Sequence, residues 1–401
     1  MGFFVKKPID WRYLLDYDKQ WRKNIPRKDL PMDKISCFIK KDPVLLISGL
    51  LAVVSAFFVP PDVSYLSYID FRVLALLFCL MCVMNGFQEI GLFQKLAVFI
   101  LSRTKNTRQL TAVLVFLCFF LSMFITNDVS LITFVPFTIL ILTITGQAKL
   151  MIYVIVLQTI AANLGSMLTP VGNPQNLYLY SLYGMRISLF LKTMLPYTLL
   201  SGLLLFLSLF LKPGEKVSLQ SVFTDTAPME RKPLLVYSLL FMLCLGCVLR
   251  LFPWQALLLI LFAVLLPFNR RLLYKADYGL LFTFLFFFLF IGNMGRIPAI
   301  VDFLRSVLTG HELFLSIAAS QVISNVPAAI LLSGFTGNYL PLLAGVNIGG
   351  LGTLIASLAS LISYKQYAKT AGCHKGRYLL RFTGLNLLFL AVLSGLAVIL
   401  I

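Results

Sequence analysis

The sequence predicts an all-α polytopic membrane protein built as an inverted-topology repeat, and three observations predict it. The chain is 59% hydrophobic and only 12% charged, with a mean hydropathy of +0.90. Apolar stretches, several of them approaching the roughly 20 residues that cross a bilayer, recur from Val44 to the C-terminus. Two stretches in each half are broken by polar clusters. In the first half these are Ile125-Thr126-Asn127-Asp128 and the run from Asn163 through Gly165, Thr169 and Asn173 to Asn176. In the second they are Ile323-Ser324-Asn325-Val326-Pro327 and the run from Asn347 through Gly349, Gly350 and Gly352 to Thr353. Hydrocarbon has no water to satisfy freed backbone groups, so such clusters survive at membrane depth only around a protein-lined cavity. Corresponding breaks in two halves point to a binding site where the repeats meet.

The elements follow in order. Residues 1–43, the only long polar region, form a cytoplasmic N-terminal segment without the short apolar stretch of a cleaved signal peptide. Residues 44–211 make the first repeat. Val44–Val59 runs outward, Phe71–Gly86 returns, and Gly91–Leu101 is short enough to lie at the interface. Leu110–Ile125 and Val129–Thr145 are two apolar arms joined at Asn127, with Arg108 and Lys149 outside their far ends. Basic flanks on one side make the pair a re-entrant hairpin entered from the cytoplasm. Leu150–Leu168, a break at Thr169–Asn176 and Leu177–Tyr183 form one discontinuous crossing, and Leu191–Leu211 returns.

Residues 212–233 read as a cytoplasmic linker and 234–251 as a connecting helix. That odd helix carries the chain outward, so the second repeat, 252–401, starts from the opposite side. It runs Trp254–Phe268, Tyr278–Asn293, Pro298–Leu308, a hairpin over Leu313–Phe335, a broken helix over Leu340–Tyr364, and Phe382–Ile401. Its hairpin should enter from outside, in agreement with the charge-poor flank Gly334–Leu340. Equivalent landmarks keep their spacing: Asn127 to Asn325 is 198 residues and Asn163 to Asn347 is 184.

The net charge of +18 collects in Lys6–Lys41, Arg103–Arg108, Lys212–Lys232, Arg270–Lys275 and Lys365–Arg381, while loops such as Pro60–Asp70 hold no basic residue. That alternation is the positive-inside pattern, so the lipid bilayer and not nucleic acid is the expected partner. Seven cysteines include the pairs Cys79/Cys82 and Cys244/Cys247 in apolar helices, and the only histidines are His311 and His374. Zinc and redox sites need partners absent here, and buried cysteine packs as a small hydrophobe. An enzyme would need a catalytic cluster that this pattern lacks. No Walker A motif occurs, so ATP-driven transport would require a separate soluble ATPase, a partner the sequence leaves open. No cofactor is expected.

The tips have both a structural and a functional reading. Asn127 or Asp128 can cap the helix from Val129, and Ser324 or Asn325 the helix after Pro327. A helix that starts mid-membrane also aims free N–H groups and the positive end of its dipole at the cavity. Two such starts facing one another suit a small anion or polar oxy-species. Thr126, Asn127, Ser324, Asn325, Asn173, Asn176 and Thr353 are the substrate-binding candidates. Matching Asn163 to Asn347 aligns Thr169, Asn173 and Asn176 with Thr353, Ser357 and Ser360. Unwound carbonyls around Gly165–Thr169 and Gly349–Gly352 are candidates for Na⁺, which makes Gly165, Thr169, Asn347 and Gly349 ion-coupling candidates. The same glycines also fit close helix packing. Asp128 is the most pointed residue, because its second-half equivalent is Val326 and an ionisable group at membrane depth is by default functional. It is assigned coupling to H⁺ or Na⁺, with Glu89 a second candidate.

Thr126-Asn127-Asp128 followed by Pro136, Gly172-Asn173-Pro174-Gln175-Asn176, and Ser324-Asn325-Val326-Pro327 resemble the motifs of the ion transporter superfamily. The similarity is to the branch holding arsenite and antimonite permeases, NhaD-type sodium/proton antiporters and citrate-type anion permeases, and it covers Val44 to the C-terminus. The resemblance implies a scaffold and a mobile transport domain carrying both hairpins, moving as an elevator in the plasma membrane, with homodimers common in the dicarboxylate branch. Dicarboxylate carriers of the superfamily show Ser-Asn-Thr at both tips. The tips here read Thr-Asn-Asp and Ser-Asn-Val, which leans away from a dicarboxylate. The expected function is secondary transport of a small anion or oxy-species coupled to H⁺ or Na⁺; a sodium/proton antiporter and a channel-like permease are the alternatives.

Overall fold

A computed structural model describes residues 43–216 and 230–401. The N-terminal segment, apart from Pro43, and residues 217–229 of the linker lie outside the described residues. Every element among the described residues is helical: α1 (Pro43–Phe58), α2 (Tyr65–Tyr68), α3 (Phe71–Glu89), α4 (Leu92–Leu101), α5 (Thr107–Leu121), α6 (Asn127–Ile144), α7 (Met151–Ser166), α8 (Pro174–Leu182) and α9 (Ile187–Ser208). After the linker come α10 (Arg231–Val248), α11 (Trp254–Asn269), α12 (Arg271–Tyr274), α13 (Tyr278–Met294), α14 (Pro298–Leu308), α15 (Glu312–Ile323), α16 (Asn325–Ser333), α17 (Tyr339–Ile348), α18 (Leu358–Tyr367) and α19 (Lys375–Leu400).

Six of these, α3, α6, α7, α9, α10 and α19, are long and apolar enough to cross a membrane, the bounds of α7 and α9 being widened by a short 3₁₀ turn; the count is seven if α13 and α14, bent by 104° to one another, are taken as one span. Burial sorts them. The apolar window of α7 is 83% buried and that of α19 only 22%. On outer helices the exposed positions are apolar, among them Phe57, Leu199, Leu203, Leu380 and Leu388. An apolar exterior over a chain this size matches a lipid solvent. The protein is a multi-pass membrane protein.

Two packing groups organise the helices. Helix α13 lies along α1, and α3 packs against α10 and α11. Around α7 gather α5, α6, α9, α18 and α19, and α17 is packed against α15, α16 and α19. The groups meet where α8 touches α3 and where α16 touches α13.

Local sequence explains the helix starts. Asp70 and Asp277 each cap the following helix, accepting from Val73 N and Leu280 N at 3.0 Å. Asn106 caps α5 by accepting from Gln109 N at 2.8 Å, so this arm starts at Thr107 and not at Leu110. Both breaks sit differently from the expectation too. The first spans 167–173 and the second 349–357, so Asn176 and Ser360 lie within α8 and α18. Pro174, at the first position of α8, has no N–H to lose and resets the helix two residues before Asn176.

Two exposed ties join distant loops. Lys149 Nζ lies 2.5 Å from Glu215, and that hydrogen bond holds the Glu215 carboxyl below its ordinary pKa. Ser64 and Arg296 do the same for Asp62, with Arg296 Nη1 at 2.7 Å. A carboxyl depressed in the fold stabilises it above its unfolded pKa, and the effect is lost as pH falls through the folded value.

Candidate functional site

The first tip is a non-helical turn, Ser122–Ile125, closed by Thr126. Thr126 Oγ1 accepts from Val129 N at 3.4 Å, so the cap is Thr126 and neither Asn127 nor Asp128. Asn127 opens α6, and its Oδ1 accepts from Asp128 N at 2.9 Å. Its Nδ2 then donates to Asn163 Oδ1 at 2.9 Å. At the second tip Ser324 occupies the cap position without a side-chain cap bond, at φ 75 and ψ 155. That backbone region belongs almost to glycine alone and costs about 1–3 kcal/mol. Ser324 Oγ instead reaches Asn325 Oδ1 and Ala356 O, both at 3.4 Å.

The same bonds recur on the two sides. Asn127 N donates to Gly172 O at 3.3 Å and Asn325 N to Ala356 O at 3.0 Å. Thr169 Oγ1 bonds Met123 O, and Thr353 Oγ1 donates to Gln321 O at 3.2 Å. Each threonine also accepts from the backbone three residues on, Gly172 N and Ala356 N, at 3.2 Å. Gly165 and Gly349 sit where a Cβ would meet Phe119 O at 2.0 Å and Ser320 Cβ at 2.8 Å. Here the missing side chain lets each break close onto the hairpin beside it.

Asn163 and Asn347 cross between the halves. Asn347 Nδ2 donates to Asn176 Oδ1 at 2.7 Å. Asn163 Nδ2 lies 3.4 Å from both Gly350 O and Ser360 Oγ, and its Oδ1 accepts from Ser357 Oγ at 3.0 Å. Asn176 Nδ2 in turn spans the first break, facing the carbonyls of Ser166 at 3.3 Å, Met167 at 3.4 Å and Thr169 at 3.3 Å. All of these amides are buried. Four helix N-termini, those of α6, α8, α16 and α18, converge on this junction.

A cavity of about 330 Å³ adjoins it. Its wall takes Thr126 and Asp128 from the first tip, Asn173 from the first break, Asn85 and Gln88 from α3, and Lys275 and Asp277 from the turn before α13. Asn173 Nδ2 donates to Ser166 Oγ at 2.6 Å, while its Oδ1 is buried with no hydrogen-bond partner. Among the described residues the Asp128 carboxylate has no hydrogen bond or ion pair. Lys275 is already engaged, with Nζ 2.7 Å from Glu89. Glu89 therefore belongs to an exposed ion pair at the end of α3.

The structure thus divides the expected residues. Thr126, Asp128 and Asn173 share the cavity. Asn127, Asn176 and Asn347 lie in the cross-link, while Ser324, Asn325 and Thr353 are outside the cavity wall. Gln321 was not expected: its Nε2 donates to Gly349 O and Leu351 O, and its Oε1 accepts from Thr353 N, all at 2.9 Å. Asp277 was also missed, although its match to Asp70 follows from the alignment of Phe71–Gly86 with Tyr278–Asn293. No group of three or more His, Cys, Asp or Glu among the described residues can hold a metal. Cys79, Cys82, Cys244 and Cys247 are buried free thiols on the packed pair α3 and α10.

Comparison with known proteins settles the class. The CitMHS model, described as citrate transporter, matches residues 33–338. The chain belongs to this citrate transporter family. It is 35% identical over 337 residues to the uncharacterized transporter MJ0456 of Methanocaldococcus jannaschii, covering 83% of this chain and 90% of that protein. It is 32% identical over 327 residues to the inner membrane protein YbiR of Escherichia coli, covering 77% and 84%. This family member is a transporter and not an enzyme.

Proposed function

We propose that the chain is a secondary active carrier, built as an inverted repeat and working by elevator motion, that moves a small oxyanion together with H⁺ or Na⁺. The observation that carries this is the junction: two hairpin tips and two broken helices meet through matching bonds beside a cavity holding Thr126, Asp128 and Asn173. Helix N-termini suit the oxygens of an anion, and Asp128 suits its cationic companion. The family description brings a carboxylate such as citrate to the front; the absence of a threonine at the third tip position keeps arsenite and antimonite in the comparison. The two packing groups match a scaffold of α1, α3, α10, α11 and α13 beside a transport body of the hairpins and broken helices.

The deciding experiment is uptake into proteoliposomes of citrate, succinate, arsenite, phosphate and sulfate under imposed pH and Na⁺ gradients. Saturable flux of one of these, accelerated by a gradient, is the expected result. Flux that neither saturates nor responds describes a channel. Sodium efflux driven by a pH gradient without any anion describes an antiporter, a reading favoured by the two carboxylates in a wall whose one lysine is paired.

Two further results are expected. Cysteines introduced at Arg108 and Lys149 label from the cytoplasm only, and at Asn338 from outside only; cytoplasmic labelling of Asn338 would defeat the inverted repeat. Asn127→Ala and Asn325→Ala abolish transport in folded, inserted protein. If these residues served stability alone, flux per folded molecule would stay near normal in both.

A further inference from the structure

Four cations gather where the ends of α4, α5 and α9 meet, and none has a carboxylate partner among the described residues. Arg103 and Lys105 lie between α4 and α5, Arg108 is in the first turn of α5, and Lys212 follows the 3₁₀ turn Leu209–Leu211 that ends α9. Helix α5 packs against both α4 and that turn. Arg108 Nη2 reaches Lys212 O at 3.4 Å, while its Nη1 has no partner among the described residues. The one carboxylate on these segments, Glu215, is taken by Lys149 at 2.5 Å.

The two arginines sit at the edge of a lipid-facing surface. Arg108 lies over the Phe210 ring at 4.9 Å and Arg103 over Phe99 at 4.7 Å, and both rings are more than half exposed. A guanidinium held on a ring in this way stays at headgroup depth while its stem lies along apolar surface. Back along α9 from Phe210, the exposed residues Leu207, Phe206, Leu203 and Leu199 recur at helical spacing on one side. At 1.5 Å per residue that strip is about 16 Å long. Half of the hydrocarbon core is about 15 Å. A strip one leaflet deep therefore ends at an unpaired guanidinium.

We propose that this corner holds one anionic phospholipid, its phosphate on Arg108 and Lys212 and an acyl chain along the Leu199–Phe210 strip. Phosphate oxygens match the planar fork of a guanidinium, and the ammonium of Lys212 adds a point charge beside it. Arg103 and Lys105 strengthen the field that draws an anionic headgroup. A zwitterionic lipid carries its own cation, which cancels that attraction. None of these residues lines the cavity, so the site is separate from the reading of the transport path.

The test is native mass spectrometry of the full-length protein released from nanodiscs made of equal parts phosphatidylglycerol and phosphatidylcholine. Wild type is expected to retain one phosphatidylglycerol in preference to phosphatidylcholine. Arg108→Gln and Lys212→Gln should each lower that preference by about fivefold. Arg270→Gln, which removes a cation from the turn between α11 and α12, should leave it unchanged. Lys212 has no side-chain bond among the described residues, so its variant decides the matter even if Arg108→Gln fails to fold. Excess glycerol phosphate should not displace the lipid, because it has no chain for the strip; displacement would assign the corner to a free phosphate and overturn the proposal. Equal retention of the two lipids by wild type overturns it as well. So does a loss in Arg270→Gln as large as in Lys212→Gln, which describes attraction to the whole basic surface and not a site.

Discussion

Asn163→Ala is expected to stop transport and to lower the melting temperature in detergent, because among the described residues this side chain ties the first hairpin tip to the second break and to α18. Its Oδ1 accepts from Asn127 at 2.9 Å and from Ser357 at 3.0 Å, and its Nδ2 reaches Gly350 O and Ser360. Alanine leaves two buried donors, Asn127 Nδ2 and Ser357 Oγ, without partners. Each such group costs about 1–3 kcal/mol, so the loss is about 2–6 kcal/mol. The first hairpin tip would also come loose from the second broken helix, which separates the halves of the site. Ser360→Ala is the matching control: it removes only a contact of 3.4 Å, and the loss should stay below about 1 kcal/mol with flux retained. Thermal unfolding and flux per folded molecule read both effects. A wild-type melting temperature in Asn163→Ala would show that the amide is not the link.

The asparagines were legible in the sequence because amides stand out in apolar surroundings and recur at matched spacing. Asp277 and Gln321 were not. Asp277 reads as an ordinary cap before an apolar helix, and only the fold brings it round to the first hairpin. Gln321 sits in Ala-Ala-Ser-Gln-Val-Ile, where a single glutamine on a helix has no distinguishing pattern; its worth lies in carbonyls that unwind some 30 residues later. Helix limits were misjudged for another reason. Hydropathy marks where a helix meets lipid, whereas helical hydrogen bonding continues beyond it. Helix α19 therefore begins at Lys375 and not Phe382, its first turns carrying Arg377 and Arg381. The capping roles were inverted for a related reason: Asn and Asp outrank Thr as caps in general, but Asn127 is drawn inward by Asn163, and Thr126 takes the position.

Asp128→Asn is expected to uncouple the carrier. The substitution keeps size and polarity and cannot disturb the Thr126 cap, which uses Thr126 Oγ1 and Val129 N. It removes the one negative charge at the first tip, where the equivalent second-tip residue, Val326, carries none. With coupling to one proton, each pH unit of gradient is worth about 1.4 kcal/mol and supports about tenfold accumulation. Wild type should show that dependence, or its sodium equivalent, and Asp128→Asn should show none, while exchange of substrate down its own gradient persists. The rest of the cavity wall, the cross-link through Asn163 and Asn347, and the helix N-termini are unchanged in this variant, so substrate affinity should remain within about threefold of wild type, under 1 kcal/mol. A variant that lost binding and coupling together would place Asp128 in contact with substrate. Full gradient dependence in Asp128→Asn would remove it from the mechanism and direct attention to the carbonyls of the two breaks.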